Sequence, residues 1–268
     1  MDRGDHTFPP AIAELYDSIL GPFMFEPFAR ETAARLAGFE GEVLEIAAGT
    51  GIVTRELHMA LHPEARITAT DLNTPMLEVA AARLDSPRVF WRQADALALP
   101  FADGSFDAVV CQFGVMFYRD EVAGHAEARR VLRAGGRYLV SVWDDLASNP
   151  AAQTVHEAVA ACFADDPPQF FARIPHGYHD KAKLCADLAA AGFREIEVET
   201  VRLDSGRVTA EELARGFCQG TPLRNEIEAR DKDSLARVTA AAAQSLSHRF
   251  GAGLVGSTIQ AHVLTGRR

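Results

Sequence analysis

Two rhythms of apolar and polar positions alternate along this chain. Short runs dense in β-branched and apolar residues cover 43–46, Arg66–Asp71, 89–95, 106–113 and 138–143, each the length of a strand. Amphipathic stretches follow the first run through Leu61, follow the second over 76–84, and precede the fifth over 122–132, where Gly135-Gly136 is expected to close the helix. Strand and helix alternate five times, which predicts an α/β fold with a doubly wound, mostly parallel sheet and right-handed crossovers. The unbroken apolar centre of the fourth run predicts burial on both faces.

Outside this core the rhythm changes. Ala-rich helical pieces span 149–185, interrupted at Asp165-Asp166-Pro167-Pro168, and a helix over 183–191 ends at Gly192. Residues 195–201 alternate like a strand near the sheet edge, 208–248 read as helical with a break at Gly220-Thr221-Pro222, and 258–264 form a closing strand. Ahead of the core, Gly21-Pro22 predicts a helix break and Pro27 a restart. Phe23, Phe25 and Phe28 are too apolar for a free tail. That segment is expected to fold back, either as ordinary core packing or as a lid over a pocket. No repeat or low-complexity linker appears, so a single domain over 1–268 is predicted. Its parts are a helical lid (1–40), a ligand-binding core (41–148), helical additions (149–185 and 202–256) and the remaining core elements (186–201 and 257–268).

With 268 residues, 48% hydrophobic and 24% charged, the chain can bury a sizeable core. A net charge of -10 argues against a broad footprint for nucleic acid or anionic membrane. The first ten residues lack the apolar core of a secretory signal, and no apolar run reaches membrane-spanning length. Cys111, Cys162, Cys185 and Cys218 are scattered, as expected of reduced thiols in a cytoplasmic protein. Oligomeric state is not encoded in any recognisable pattern, although the helical 208–248 region offers a candidate interface.

In an open α/β sheet, ligands bind outside the carboxyl ends of the strands. Four strands deliver suitable groups there. Gly49 and Gly51 follow the first and allow close backbone approach, at a helix N-terminus that favours an anionic group. Asp71 ends the second, about twenty residues on, where a carboxylate accepts hydrogen bonds from ribose hydroxyls. Asp95-Ala96 follows the third, placed to accept from an exocyclic amine, and Gln112-Phe113 follows the fourth, facing the reactive end. Singly, each Asp reads as a cap or a solvated turn; in order at strand ends they point to an adenosine-type ligand.

These motifs resemble those of the class I S-adenosylmethionine-dependent methyltransferases, above all the small-molecule group typified by ubiquinone/menaquinone-biosynthesis methyltransferases. The family's E-x-G-x-G-x-G is matched by Glu45, Gly49 and Gly51, with Ala47 replacing the first glycine. Asp71 and Asp95-Ala96 match its second and third motifs, followed by Leu99-Pro100-Phe101 and Phe106-Asp107; Arg130 to Gly136 match its Arg-Val-Leu-Arg-x-Gly-Gly pattern. The resemblance implies a seven-stranded Rossmann-like sheet with an antiparallel last strand. It implies S-adenosyl-L-methionine as cofactor and S-adenosyl-L-homocysteine as product. It also implies cofactor contacts from Leu72, from Tyr16 in the lid at the methionine end, and from Met76 on the adenine, with core packing the equal alternative for Met76.

Methyl transfer from a sulfonium is an in-line displacement that disperses positive charge, so an apolar chamber and good positioning serve it, and no triad is needed. Met116, Phe117 and Tyr118, with Phe171 from the later insertion, are candidate chamber walls; anchoring a helix layer is the competing role. His176 and Tyr178 are the candidate proton-transfer residues. His58 and His62 have the spacing of a helical zinc pair, but Met59 stands where the catalytic Glu would be, so no metal is expected. Asp166-Pro167-Pro168-Gln169 lacks the aromatic and the position of a nucleic-acid amino-methylation motif. The sequence therefore predicts methyl transfer to a small, partly apolar molecule. A nicotinamide-dependent (NAD(P)) oxidoreductase sharing the glycine turn is the alternative enzyme. A catalytically silent cofactor- or partner-binding protein is the alternative of another class.

Overall fold

Residues 10–268 are described by the computed structural model; the first nine residues of the expected lid lie outside them. The chain opens with α1 (Pro10–Leu15), a π-helical stretch (Tyr16–Phe25) and α2 (Glu26–Ala34). The core alternation follows: β1 (Glu42–Ile46), α3 (Ile52–Ala60), β2 (Arg66–Asp71), α4 (Thr74–Arg83), β3 (Val89–Gln93), β4 (Phe106–Gln112), a 3-10 turn (Val115–Phe117), α5 (Glu121–Val131) and β5 (Leu132–Trp143). Next come α6 (Pro150–Ala161), α7 (Phe170–Arg173), α8 (Lys181–Ala190), β6 (Arg194–Asp204), β7 (Val208–Thr209), α9 (Ala210–Gln219), α10 (Leu223–Arg230), α11 (Leu235–Phe250), β8 (Leu254–Val255) and β9 (Thr258–Arg267).

Seven strands form one sheet in the order β3-β2-β1-β4-β5-β9-β6. β1 runs parallel to β2 and β4, β2 to β3, and β4 to β5, whereas β9 pairs antiparallel with β5. This is the expected seven-stranded, mostly parallel sheet. Strand order reverses between β1 and β4, which opens a crevice at their carboxyl ends. Val109, Val110 and Cys111 of β4 are at most 1% exposed, as its unbroken apolar run requires.

Three local expectations are corrected. Gly21-Pro22 does not break the helix; Glu26 N–H bonds to Gly21 O, five residues back, in the π register. The wider turn relieves the clash between a proline ring and the carbonyl four residues before it. Gly135-Gly136 does not cap α5. Leu132 is already extended, and the glycines lie in a bulge of β5 where the register with β4 jumps from Phe106↔Leu132 to Ala108↔Arg137. The 208–248 region begins with strand β7, paired to β8, and is interrupted a second time at Asp231–Ser234. There the Asp231 side chain accepts from Asp233 N–H at 3.1 Å, a local turn that competes with helix.

The described residues group into two compact units. One comprises residues 28–143, 178–201 and 261–268; the other comprises residues up to 27, 144–177 and 202–260. The first carries the sheet. The second is mostly helical, with α9 packed on the π stretch and α11 on α6 and α9. No helix among the described residues is long and apolar enough to cross a membrane.

Candidate active site

The sheet unit gathers the predicted ligand groups on its carboxyl rim. β1 ends at Ile46, and the chain then enters the left-handed region at Ala47 (φ 57°), Gly49 (φ 55°) and Gly51 (φ 75°). Alanine there adopts what glycine would adopt freely, at a cost of about 1–2 kcal/mol. Hydrogen bonds hold the bend: Ala48 N–H donates to Thr70 O (2.8 Å) and Gly51 N–H to Ala48 O (2.9 Å).

The first predicted acid, Asp71, meets this bend directly. Asp71 Oδ2 accepts from Gly49 N–H at 2.9 Å, and its Oδ1 accepts from Asn73 N–H at 2.8 Å and from the Asn73 side chain at 3.3 Å. Burial raises the Asp71 pKa, and the backbone donors Asn73, Gly49 and Leu72 oppose that rise. Ala94 N–H donates to Asp71 O, so the loop after β3 is tied to the end of β2. Asp95 lies in that loop, exposed, its Oδ1 accepting from Leu97 N–H at 2.9 Å, with Ala96 beside it. Leu72 is 50% exposed beside Asp71, whereas Met76 of α4 is buried.

Glu45 has a different task from the glycines that follow it. Fully buried, it accepts from Thr54 Oγ1 at 2.6 Å and from the Thr54 backbone, and so caps α3 from within β1. Desolvation pushes its carboxyl up to about 8, with the nearby Asp71 charge adding to the rise.

At the end of β4, Gln112 Oε1 accepts from Thr32 Oγ1 of α2 at 2.8 Å. Phe113 is also left-handed (φ 55°), and its N–H donates to Ser141 O at 2.9 Å. Gly114 follows, and a Cβ added there would lie 2.5 Å from the Ala47 Cβ. The turns after β1 and β4 therefore interlock, the alanine methyl taking the space that the glycine leaves. Met116 is buried, Phe117 is half-buried, and the Tyr118 hydroxyl sits 3.5 Å from Cys111 Sγ.

Other predicted residues have partners within their own units. Tyr16 stacks on Phe25 (centroids 4.6 Å apart) and Phe171 meets Phe217 edge-on (5.4 Å), all four in the helical unit. His176, in the same unit, is buried with Nδ1 2.7 Å from Asp144 O. A carbonyl only accepts, so Nδ1 carries the proton in this bond. Tyr178, expected as a proton-transfer residue, is instead committed to the α5–α8 side of the sheet unit. Its hydroxyl donates to Asp187 Oδ2 (2.7 Å) and lies 3.4 Å from His125 Nε2, while His125 Nδ1 is 3.1 Å from the Tyr138 hydroxyl. Burial and the Asp187 carboxylate raise the Tyr178 pKa far above its ordinary value. His58 lies in the last turn of α3 and bonds to Ser86 (3.0 Å), while His62 lies beyond the helix, so the two do not share a helical face.

Three features escaped sequence reasoning. Thr50, 1% exposed between the two glycines, has a hydroxyl with no partner in the structure; the G-T-G spacing could have flagged it. Asn73 braces Asp71, which nothing in the sequence announces. Phe28 and Trp143 enclose Phe113 although they lie far apart along the chain.

Comparison with known proteins bears on this rim directly. Residues 43–136 match the family model described as a methyltransferase domain. A demethylmenaquinone methyltransferase of Mycolicibacterium vanbaalenii is 32% identical over 210 residues, 70% of this chain and 88% of that protein. A ubiquinone/menaquinone biosynthesis C-methyltransferase of Hahella chejuensis is 32% identical over 146 residues, 48% of this chain and 58% of its own. Among solved structures, Haemonchus contortus phosphoethanolamine N-methyltransferase 2 in complex with S-adenosyl-L-methionine superposes with a TM-score of 0.60 at 16% identity. That match covers 96% of this chain and 56% of the other. The last resemblance is one of fold alone.

Proposed function

The chain belongs to the S-adenosylmethionine-dependent methyltransferases, and from that premise we propose that it methylates a ring carbon of a small, partly apolar acceptor of the quinol type. The family assignment does not favour the nicotinamide oxidoreductase, although the glycine turn is shared. The observation that carries the donor site is the Gly49–Asp71 hydrogen bond, which joins the glycine bend to the acid expected to hold ribose.

The residues fit the cofactor. A Cβ placed on Gly49 would meet nothing within 4 Å, so there is open space over the bend, and Thr50 Oγ1 is a buried hydroxyl awaiting a partner. When bound, S-adenosylmethionine supplies an electrophilic methyl group on a sulfonium. Asp71 would hold the ribose hydroxyls by accepting hydrogen bonds from them. Asp95 accepts from the exocyclic amine, Ala96 and Leu72 border the base, and Ala47, Gly49 and Gly51 offer backbone at close range. Gln112 and Phe113 border the methyl group. Transfer to a ring carbon would replace its C–H bond by C–CH3, releasing one proton net and leaving the donor as S-adenosylhomocysteine.

The quinol assignment is supported by the name of a relative that matches 70% of this chain. Incubating the full chain with trideuteromethyl-labelled donor and a reduced 2-prenyl-1,4-naphthoquinone should yield a product carrying one labelled methyl on carbon, detected by mass spectrometry. Binding of S-adenosylhomocysteine without any label entering this acceptor would sink the quinol reading. Failure to label any member of a broad metabolite panel would favour a silent binder.

A further inference from the structure

Resting on the donor assignment above, we infer that Phe28 and Trp143 are positioning residues for methyl transfer: they clamp Phe113 in its left-handed turn and so fix the end of β4 against which the methyl group is presented.

A bulky aromatic residue at φ 55° is unusual, because glycine or asparagine takes that conformation at much less cost. Simple core filling does not call for it, since a leucine in ordinary extended backbone fills a core equally well. What the turn accomplishes is directional. The ladder stays intact as far as Phe113, whose N–H still bonds to Ser141 O, and the chain then swings into the 3-10 turn that carries Met116 and Phe117. The ring meanwhile folds back onto Trp143, face to face, with centroids 3.7 Å apart and planes 6° from parallel. Phe28 stands edge-on to both rings, at 5.4 Å from each. All three side chains are buried, and they come from α2, the end of β4 and the end of β5. Stacked and edge-to-face contacts of this kind are specific in geometry.

The turn is gripped on its other side as well. Gly114 is seated against the Ala47 methyl and Cys111 Sγ, where an added Cβ would come within 2.5 Å and 2.9 Å. Displacing the Phe113 ring therefore moves a backbone whose next neighbour is the glycine bend itself. Strain that its surroundings over-determine, next to a ligand-binding turn, is how an active site holds a geometry that the chain would not choose. Phe28 and Trp143 act through Phe113 and need no contact with the donor.

The test uses Phe28→Leu, Trp143→Leu and the conservative Trp143→Phe. S-adenosylhomocysteine affinity is measured by calorimetry, and the bound methyl group of methyl-¹³C S-adenosylmethionine is observed by NMR, which needs no acceptor. Both leucine variants should bind S-adenosylhomocysteine within threefold of wild type. Their bound methyl resonance should shift and broaden, and kcat on any accepted quinol should fall ten- to a hundredfold with little change in KM for the donor. Trp143→Phe should restore the resonance most of the way. If the leucine variants do not fold, Phe113→Gly, which accommodates the left-handed backbone but has no ring to clamp, takes their place and should show the same displaced resonance. A methyl resonance unmoved in every folded variant overturns this inference alone. Absence of S-adenosylhomocysteine binding by the wild-type chain brings down the donor assignment, and this inference with it.

Discussion

The turns after β1 and β4 put non-glycine residues, Ala47 and Phe113, into the same left-handed conformation within two degrees of φ, yet they are held there by different means. Around Ala47 the restraint is polar. Backbone hydrogen bonds close the bend, Asp71 accepts from Gly49, and Glu45 caps the helix that follows. Around Phe113 it is mostly apolar, a ring held between two others. A polar restraint can exchange partners with a ligand, since a carboxylate that holds an amide can also hold a hydroxyl. An apolar clamp exchanges nothing. The first turn is therefore suited to binding and the second to holding still.

The sharpest way to break this contrast is at Asp71. Asp71→Ala should weaken S-adenosylhomocysteine binding by tenfold or more, about 1.5–3 kcal/mol for a hydrogen bond to a charged group, as read by calorimetry. Undiminished affinity would remove the polar turn from the donor site. Gly114→Ala attacks the contact that joins the two turns. Its methyl would overlap the Ala47 Cβ, and a loss of about 1–3 kcal/mol is expected from overpacking. Adding Ala47→Gly should recover part of it, so a double-mutant cycle in thermal unfolding should show coupling between the two positions. Strictly additive effects would mean that the turns do not interlock.

pH separates the two turns more gently. Glu45 has a folded pKa pushed up to about 8 from 4.5, so its contribution is full below 4.5 and is lost as pH rises through 8, by at most about 1.4 kcal/mol per pH unit. Buried His125 is the opposite case, its pKa lowered from 6.5 to about 4 by desolvation, so its contribution is present above 6.5 and is lost as pH falls through 4. The two slopes oppose each other between pH 4.5 and 6.5, and from there to 8 the Glu45 slope continues, with Asp71, also raised by burial, acting in the same sense. Glu45→Gln should flatten denaturant-derived stability over that upper window; an unchanged slope would show that Glu45 ionises normally. The smallest effect is expected at Tyr178→Phe. It should cost about 1 kcal/mol of stability, since Lys183 still pairs with Asp187, and leave kcat intact. A large fall in kcat at unchanged stability would return Tyr178 to the chemistry.

The legible part of the site was its polar half. Gly49, Gly51, Asp71 and Asp95 each stand at the end of an apolar run, and in a parallel sheet all such ends lie along one rim. The contact of Asp71 with Gly49 follows from that topology. Helix limits were less legible where a local signal had two solutions: Gly21-Pro22 could end a helix or widen it, and Gly135-Gly136 could cap a helix or bulge a strand. Burial and neighbouring strands choose between such pairs, and neither is a property of the local residues.

What the sequence determined alone was therefore the alternation of strand and helix, the sheet it builds and the polar groups on its rim, because periodicity and strand-end position act over a few residues at a time. Only the tertiary structure decided that Phe28, Phe113 and Trp143 share one stack, that Gly114 makes room for the Ala47 methyl, and that Tyr178 serves a buried network. Those contacts join residues from separate elements through shape and close packing, and no periodic pattern along the chain records which surfaces will meet.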